Sequence, residues 1–471
     1  MIPTDFVRHA LDWAFVVSIA YLLSVYAFYL FLAAVSARES RVLLAESDGE
    51  DYGALADSPF SIPVSVIAPV FNEEVVVIGT VKSLLALEYP EFEVVVVNDG
   101  STDRTLELLK REFNLEPQLA ACQEIIDTGL VRAAYRSRSD RKLLVIDKIN
   151  GRKADALNCG LNYARYRYLC CVDGDTFYSP DALLRAMRLV VKDPARIIGV
   201  TSMIAVSRHP EAEPRAQRGT VRVDASPILG FQQLEYVRSF LTNRLAWSRL
   251  NFMLCSSGAF AVWRRDTVVA VKGFSREFTC EDVELNFRIH ERFLREDRPY
   301  RILALSDMVA RTEAPSDAAA LVRQRGRWQR VIMETVWHYR RMFANPRYRS
   351  VGLIGMPYYV FAEALAVVFQ TLAIIALIAA TVFGLLEILT FVQLVAIMAL
   401  LIGILSLAGL LIQDLSFREL EISTLVRLTA LAPLDLFIYR PLIFVAEMKG
   451  LFQYLQGNKD WDKFKRNVRP A

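Results

Sequence analysis

Long apolar segments without charge set the first limit on how this chain can fold. The first covers residues 13–35 and contains no acidic or basic residue. Two others cover residues 359–384 and 388–412, with Glu363 and Glu387 at or near their ends. Each is long enough to cross a hydrocarbon layer of about 30 Å as a helix. With 54% hydrophobic residues, the chain is predicted to be a membrane protein that also has a sizeable soluble part.

The N-terminal block predicts a retained transmembrane helix, which we assign to residues 1–41. A cleaved signal peptide would have a shorter apolar core and a basic leader, whereas Asp5 and Asp12 precede this block. Arg38 and Arg41 follow it and predict that the helix leaves the membrane on the cytoplasmic side.

Residues 42–312 are predicted to form one cytoplasmic α/β domain. After a polar linker (42–60), short β-branched runs alternate with helical segments: "IPVSVIAPV", "FEVVVVND", "KLLVIDKI", "YLCCVDGD" and "IIGVTSMIAV". Runs that are apolar at every position and separated by helices predict a largely parallel sheet covered on both faces. The segment 207–227 breaks this pattern and predicts an inserted loop or hairpin.

Charge and cysteine content narrow the classes of function. A net charge of +3 gives no sign of a nucleic-acid partner. The six cysteines include no CxxC pair, and Cys170 and Cys171 should point to opposite faces of a strand. They are therefore expected to be free thiols in a reducing compartment.

The region after the α/β domain is predicted to lie at and in the membrane. Residues 313–358 should form amphipathic interface helices, with Arg323, Arg330 and Trp337 extending their polar ends into water. Two transmembrane helices follow within 359–412.

Residues 413–471 are predicted to form interfacial or re-entrant helices and a basic cytoplasmic tail. The apolar stretch 423–456 is interrupted by Arg427, Pro433, Asp435, Arg440, Pro441 and Glu447. A third C-terminal span is the alternative. We prefer two crossings because an even number keeps both the α/β domain and the basic tail inside, with the N-terminus outside.

The segment "VDGD" carries the first chemical signal. Asp173 and Asp175 follow an apolar strand, and two carboxylates this close ionise together only beside a cation. Mg²⁺ takes one or two protein carboxylates and completes its shell with water and phosphate. The carboxyl ends of strands are where α/β sheets bind ligands, so this segment predicts a metal–diphosphate site. Gly174 would let the backbone approach that phosphate.

Three further polar loops follow predicted strands or precede predicted helices. "IAPVFNEE" contains Asn72 and Glu73, "VVVVNDGSTD" contains Asp99, and "NGRKADALNCGL" contains Lys153. Such residues are also good helix caps, which is the alternative interpretation. Capping does not explain why both Asp99 and Asp173 stand directly after long apolar strands.

Together these segments resemble the membrane-embedded branch of the family-2 glycosyltransferases with the GT-A fold, the branch that includes cellulose, hyaluronan and poly-N-acetylglucosamine synthases. "FTCEDVELNFRI" (278–289) resembles the Thr-Glu-Asp motif of the family, and "QRGRW" (324–328) matches its Gln-x-x-Arg-Trp motif. The resemblance covers roughly residues 60–345. It implies a nucleotide-diphospho-sugar transferase domain with flanking transmembrane and interfacial helices.

The resemblance implies a donor and metal site built from six residues. Asn72, Glu73 and Asp99 would surround the base and ribose, and Lys153 would lie near the diphosphate or sugar. Asp173 would be nearer the nucleotide, and Asp175 would be the direct ligand of Mg²⁺ or Mn²⁺, with Asp173 contributing.

The resemblance also assigns the reacting groups. Asp282 would be the general base that takes the acceptor proton in an inverting transfer, with Glu281 beside it and Cys280 where the family has Thr. The spacing of Gln324, Arg327 and Trp328 puts them on one face of a helix. The resemblance implies that Arg327 binds the diphosphate and that Trp328 stacks on the acceptor sugar.

The predicted function is a membrane-bound inverting hexosyltransferase that moves a sugar from a UDP-sugar to a growing β-linked exopolysaccharide. We expect it to be processive and coupled to secretion, in a bacterial-type inner membrane with the catalytic domain in the cytoplasm. The alternative is transfer of one sugar to a lipid or lipid-linked acceptor. A transporter or nucleotide sensor is disfavoured because it would not need both Asp282 and the Gln-Arg-Trp motif. Membrane lipids, further copies of the chain or secretion partners would complete the assembly.

Overall fold

The computed structural model of this protein describes residues 4–47, 61–207, 221–224, 226–385 and 388–458. Most of the expected linker, most of the expected insertion and the end of the basic tail lie outside the described residues.

One sheet forms the centre of the described part of the chain. Its strands are β1 (Val64–Val70), β2 (Phe92–Asp99), β3 (Leu115–Pro117), β4 (Val131–Ser137), β5 (Leu143–Lys148), β6 (Tyr168–Val172), β7 (Thr176–Tyr178), β8 (Ile197–Ser207), β9 (Phe260–Arg264) and β10 (Arg301–Glu313). They lie in the order β3-β4-β5-β2-β1-β6-β9-β8-β10-β7.

Helices cover the sheet and continue beyond it. They are α1 (Thr4–Ser47), α2 (Val77–Leu85), α3 (Thr105–Glu112), α4 (Arg152–Tyr163), α5 (Ala182–Lys192), α6 (Pro227–Val237), α7 (Leu245–Leu250), α8 (Arg265–Ala270), α9 (Glu281–Arg295), α10 (Ala318–His338), α11 (Ala366–Val382), α12 (Ile388–Ile412), α13 (Ile422–Leu431) and α14 (Arg440–Leu455). A π-helical turn, Arg238–Arg244, joins α6 to α7.

The α/β class and all five expected strands are confirmed, but the expectation of a largely parallel sheet is wrong. Among the strand pairs of the described residues, β1–β2, β1–β6, β2–β5 and β8–β10 are parallel. Strands β3, β4, β7 and β9 enter antiparallel. A strand buried on both faces is apolar at every position whichever way it runs, so the apolar runs could not reveal strand direction.

The central strands are buried on both faces. In β1, Val66 packs in the cluster that contains Val81 of α2, and the next residue, Ile67, packs in the cluster that contains Leu161 of α4. Each fully buried branched side chain stabilises the fold by roughly 1.5–3 kcal/mol. The polar loops that follow these strands therefore stand at the edge where the strands end.

Three helical stretches of the described chain are long and apolar enough to cross a membrane: Leu11–Glu46, Ile388–Phe417 and Ile422–Leu455. A fourth candidate is the pair Val351–Ala364 and Ala366–Val382, which is bent by 44°. The expected span over 359–384 is therefore not one straight helix, because the break lies within it.

The stretch Ile422–Leu455 meets the length and composition that a third C-terminal span would need. It also stays against the rest of the protein. Glu421, just before it, pairs with Arg222, and Gly450, near its other end, lies against Gly326 of α10. The interfacial placement of this stretch stays a prediction.

Helix α1 is longer than its apolar block. It runs for 44 residues, about 66 Å at 1.5 Å per residue, and continues through the first residues of the expected linker. Beyond the apolar block it binds the soluble domain: Ser36 Oγ donates to the Thr242 carbonyl at 3.0 Å, and Glu46 pairs with Lys192 at 2.6 Å.

Candidate active site

The strand-end loops open onto one large cavity of about 2090 Å³. All eleven residues that the sequence nominates line it: Asn72, Glu73, Asp99, Lys153, Asp173, Asp175, Glu281, Asp282, Gln324, Arg327 and Trp328. They come from the ends of β1, β2 and β6 and from the helices α4, α9 and α10. The fold thus brings together residues that are up to 256 positions apart in the sequence, from Asn72 to Trp328.

Lys153 joins two of the sequence motifs. Its Nζ lies 2.7 Å from Asp173 Oδ1 and 3.0 Å from Glu281 Oε1. Burial alone would lower the pKa of Lys153. The carboxylates of Asp173 and Glu281 more than offset this, so the pKa of Lys153 lies well above its ordinary value. In this structure the partner of Glu281 is therefore the ammonium of Lys153.

Asp282 lies in the first turn of α9, as the sequence predicts. Its Oδ1 accepts the Val283 N–H at 2.8 Å. Burial raises the pKa of Asp282 to about 6, and the neighbouring Glu281 adds to the rise, whereas Lys153 opposes it. A buried carboxylate with this pKa is mostly ionised at neutral pH and is still basic enough to accept a proton.

Gly258 makes room for this pair of charges. A Cβ at this position would lie 2.6 Å from Asp282 Oδ2 and 3.1 Å from Lys153 Nζ. Any larger residue would push the carboxylate or the ammonium out of place.

Asp173 and Asp175 fit a divalent cation. Burial raises the pKa of Asp173 to about 6, which Lys153 lowers and Asp175 raises. Both carboxylates face the cavity, and the Lys153 ammonium is paired with Asp173. Among the described residues no group of three or more His, Cys, Asp or Glu side chains could hold a metal ion, so a cation here would take its other ligands from water and phosphate.

Gly174 has a packing role in the loop after β6. A Cβ on it would lie 2.7 Å from the Pro69 carbonyl oxygen and 2.8 Å from Val70 Cγ1. Its small size lets this loop pack against the end of β1, and its approach to phosphate stays a prediction.

The residues expected around the nucleotide also hold the loops together. Asn72 has a left-handed backbone with φ 52°, and its Oδ1 accepts the Thr102 N–H at 2.8 Å. Asp99 Oδ1 accepts from Lys148 Nζ at 2.8 Å and from the Gly151 N–H at 2.9 Å. Helix α2 begins at Val77, so Asn72 and Glu73 lie in the turn before it, whereas Asp99 ends β2.

Trp328 contacts two neighbours that also contact each other. The Arg325 guanidinium lies 3.9 Å from its ring centroid, and Tyr236 stacks on it at 6.4 Å. Arg325 is buried and pairs with Glu235. The interfacial position expected for Arg330 is wrong, since it is only 4% exposed, while Trp337 is 63% exposed.

Sequence reasoning missed Lys148 and Arg325 as parts of the site. Lys148 is fully buried and pairs with both Asp99 and Asp155. Lys148 is the last residue of β5. In the sequence, a lysine after an apolar run looks like the solvated end of an ordinary strand. Arg325 stands inside the Gln-x-x-Arg-Trp motif at a variable position, so only its burial against Trp328 reveals it.

Comparison with known protein families matches the same part of the chain. Residues 65–260 match the family described as Glycosyl transferase family 2. Residues 168–412, more than half of the chain, match Glycosyl transferase family group 2. The chain belongs to the family-2 glycosyltransferases. The resemblance inferred from the motifs, the enzyme class and the GT-A fold class are thereby confirmed.

Curated relatives of this family-2 glycosyltransferase include two bacterial synthases. The poly-beta-1,6-N-acetyl-D-glucosamine synthase of Staphylococcus epidermidis is 25% identical over 279 residues, which are 58% of this chain and 56% of that protein. The enzyme of the same name from Staphylococcus aureus (strain COL) is 25% identical over 267 residues, 56% of this chain and 53% of that one. The chain spans about half the length of the curated relatives it matches.

A solved structure shares the fold over nearly the whole chain. It is the mannosyltransferase PcManGT from Pyrobaculum calidifontis, determined in complex with GDP-Man and Mn²⁺. Its TM-score is 0.54 at 17% sequence identity, and the match covers 92% of this chain and 99% of that one.

Proposed function

We propose that this glycosyltransferase moves a sugar, with inversion, from a UDP-sugar to a growing β-linked exopolysaccharide at the membrane. One observation carries the proposal: a single cavity holds the Asp173–Asp175 pair, the proposed base Asp282 and Trp328, and Lys153 pairs there with Asp173 and with Glu281, the neighbour of the base. The names of the Staphylococcus relatives support N-acetylglucosamine as the transferred sugar.

The donor would bind along the ends of β1, β2 and β6. A carboxylate such as Asp99 accepts hydrogen bonds from uracil N3–H or a ribose hydroxyl, and Lys148 holds it in place. Asp173 and Asp175 would hold Mg²⁺ or Mn²⁺, which supplies the positive charge that the donor diphosphate needs. Lys153 and Arg327 would add cationic contacts to the same diphosphate.

The transfer step moves one proton, forms one bond and breaks another. The Asp282 carboxylate takes the proton of the acceptor hydroxyl as that oxygen forms a bond to the anomeric carbon. The bond from the anomeric carbon to the diphosphate oxygen breaks, and UDP leaves with the electron pair. Trp328 would stack on the acceptor sugar and hold its hydroxyl in line.

The contacts of the long helices support the proposed membrane placement. The far end of α1 packs with α11 through Leu11, Ala376 and Ala380, while Ser36 of α1 binds the soluble domain. The α11–α12 connection would therefore lie on the side opposite the catalytic domain. We infer that this domain is cytoplasmic, since UDP-sugars are made there, and that the polymer leaves through or beside the membrane helices.

The deciding experiment offers the purified protein each UDP-sugar with Mg²⁺ and sizes the product. We expect UDP release and a polymer with UDP-N-acetylglucosamine, no reaction in EDTA, and recovery with Mg²⁺ or Mn²⁺. Asp282→Asn should abolish transfer and leave UDP binding nearly intact. Unchanged turnover in Asp282→Asn, or no turnover of any UDP-sugar, would rule the proposal out. A product bearing one sugar on a lipid would instead favour single transfer.

A further inference from the structure

The cavity does not end at the catalytic residues. It continues between α1, α11 and α12, where its wall is formed by Phe369, Ile374, Leu377, Phe391, Val395 and Met398. We call this part the crevice. Helices α11 and α12 each pack on α1, and neither contains an acidic or basic residue along Ala366–Val382 or Ile388–Ile412.

The chemistry of this wall suits hydrocarbon better than sugar. A saccharide carries several hydroxyl groups per unit, and each one left without a hydrogen-bond partner against an apolar wall weakens binding. Ile374 faces the crevice and is still 42% exposed, so the protein's own side chains do not fill it. An alkyl chain would bury this surface at about 25 cal/mol per Å².

Arg244 stands on the cavity wall between the crevice and the catalytic residues. Its guanidinium stacks on Phe240 at 3.9 Å, and Nη2 donates to Cys255 Sγ at 3.4 Å. No acidic side chain of the described residues lies within salt-bridge distance of it, and its buried Nε has no hydrogen-bond partner there.

The other charged groups on this wall are already paired. Glu235 pairs with Arg325, and Arg238 and Arg440 share Asp435. Glu363 accepts from the Tyr358 hydroxyl at 2.5 Å. Among the described charged groups next to the crevice, Arg244 therefore has bonding capacity left for an anion, and guanidinium groups bind phosphate through paired N–H donors.

Arg244 lies near the proposed base Asp282. Cys255, which it contacts, begins the segment Cys255–Gly258 whose last residue lies against Asp282. Three extended residues span at most about 10 Å. An anion on Arg244 would thus lie within a short distance of the acceptor hydroxyl that Asp282 deprotonates.

We propose that the acceptor glycan is attached to a phosphate-bearing lipid. Its phosphate or diphosphate binds Arg244, its hydrocarbon chain lies in the crevice between α11 and α12, and its sugar hydroxyl faces Asp282. This inference rests on the proposed function and names the acceptor class for the same site.

The headgroup is tested with three soluble probes. These are a disaccharide of the transferred sugar joined through a diphosphate to a farnesyl chain, the same disaccharide as an uncharged farnesyl glycoside, and the free disaccharide. A charge-assisted hydrogen bond is worth about 1.5–3 kcal/mol, so the diphosphate probe should have a KM at least about tenfold lower than that of the uncharged one.

Arg244→Gln should remove this difference and leave UDP affinity unchanged, and Arg244→Lys should keep part of it. Arg249→Gln is the matched control. Arg249 lies in α7, which begins directly after Arg244, and it is exposed and pairs with Glu39. Melting curves confirm that each variant is folded. Equal KM values for the charged and uncharged probes, or an equal effect of both glutamine variants, would overturn the phosphate site.

The tail is tested with two valines of α12. Val395 lines the crevice, whereas Val392 does not and is 53% exposed on the outside. Val395→Trp should raise the KM for both farnesyl probes and not for the free disaccharide, and Val392→Trp should change none. Full activity of Val395→Trp on the farnesyl probes would overturn the crevice as the tail site. Absence of UDP-sugar turnover with all three probes would instead refute the proposed function itself.

Discussion

At the scale of single residues, Asp282 owes its proton affinity to burial and to its neighbours. Its pKa of about 6 predicts a specific pH profile, because only the ionised form can accept the acceptor proton. We expect kcat/KM to be constant well above pH 6 and to fall about tenfold per unit below it. Initial rates on both sides of pH 6 measure this.

The control for the pH profile is Asp127→Asn, since the Asp127 side chain is 90% exposed and pairs with Arg276. This variant should keep the wild-type profile. A wild-type profile that stays flat well below pH 6 would contradict the role of Asp282 as the base.

Two tryptophans on α10 separate an acceptor contact from a surface contact. Trp328→Ala should nearly abolish transfer, because a small misplacement of the acceptor can cost on the order of 100-fold in rate. UDP affinity should change by less than about tenfold, or 1.4 kcal/mol. Trp337→Ala should be mild, since Trp337 contacts Arg340 at the surface. Equal losses in transfer assays would mean that α10 acts only as a platform.

The sequence predicted which residues line the site better than it predicted their contacts. The motifs name Lys153 and Glu281, but their ion pair depends on how α4 and α9 approach each other. Lys148 lacked any signal because it ends an apolar run and its partner Asp99 lies 49 positions away in the chain. Buried pairs of this kind follow from tertiary packing, which one sequence does not display.

At the scale of elements, α10 and α14 approach closely at two glycines. A Cβ on Gly450 would overlap the Gly326 carbonyl oxygen, so Gly450→Ala should separate the helices. We expect a loss of about 1–3 kcal/mol of stability and reduced transfer, since α10 carries Trp328. Thermal unfolding in detergent and a transfer assay measure both.

Gly403→Ala in α12 is the matched control, because a Cβ there meets no atom within 4 Å. It should leave transfer unchanged and be neutral or stabilising by about 0.4–1 kcal/mol. Equal destabilisation by both substitutions would show that the α10–α14 contact is not close-packed.

The elements themselves were largely predictable, but their directions and ends were not. The five apolar runs all form strands, yet β9 enters between β6 and β8 in the opposite direction. The break near Leu365 divides an apolar block that reads as one span. Hydropathy records burial and length, and it contains no information on strand direction or helix bending.

At the scale of the whole molecule, the proposed topology places the soluble domain and the end of α14 on the cytoplasmic side. In a background that lacks Cys122, a Gln456→Cys variant should resist a membrane-impermeant thiol reagent in intact cells. Leu385→Cys, in the connection between α11 and α12, should react. Ready labelling at position 456 would favour a third C-terminal span over Ile422–Leu455.

The continuous helix α1 ties the catalytic domain to the thickness of the bilayer. Its apolar block lies in the same rigid rod as Ser36 and Glu46, which bind the domain. A thinner bilayer is matched by tilting such a rod, and the tilt would be transmitted to the domain through these contacts. Hydrophobic mismatch would thereby change the height of the cavity above the membrane, so lipid chain length becomes a variable that sets the geometry of transfer.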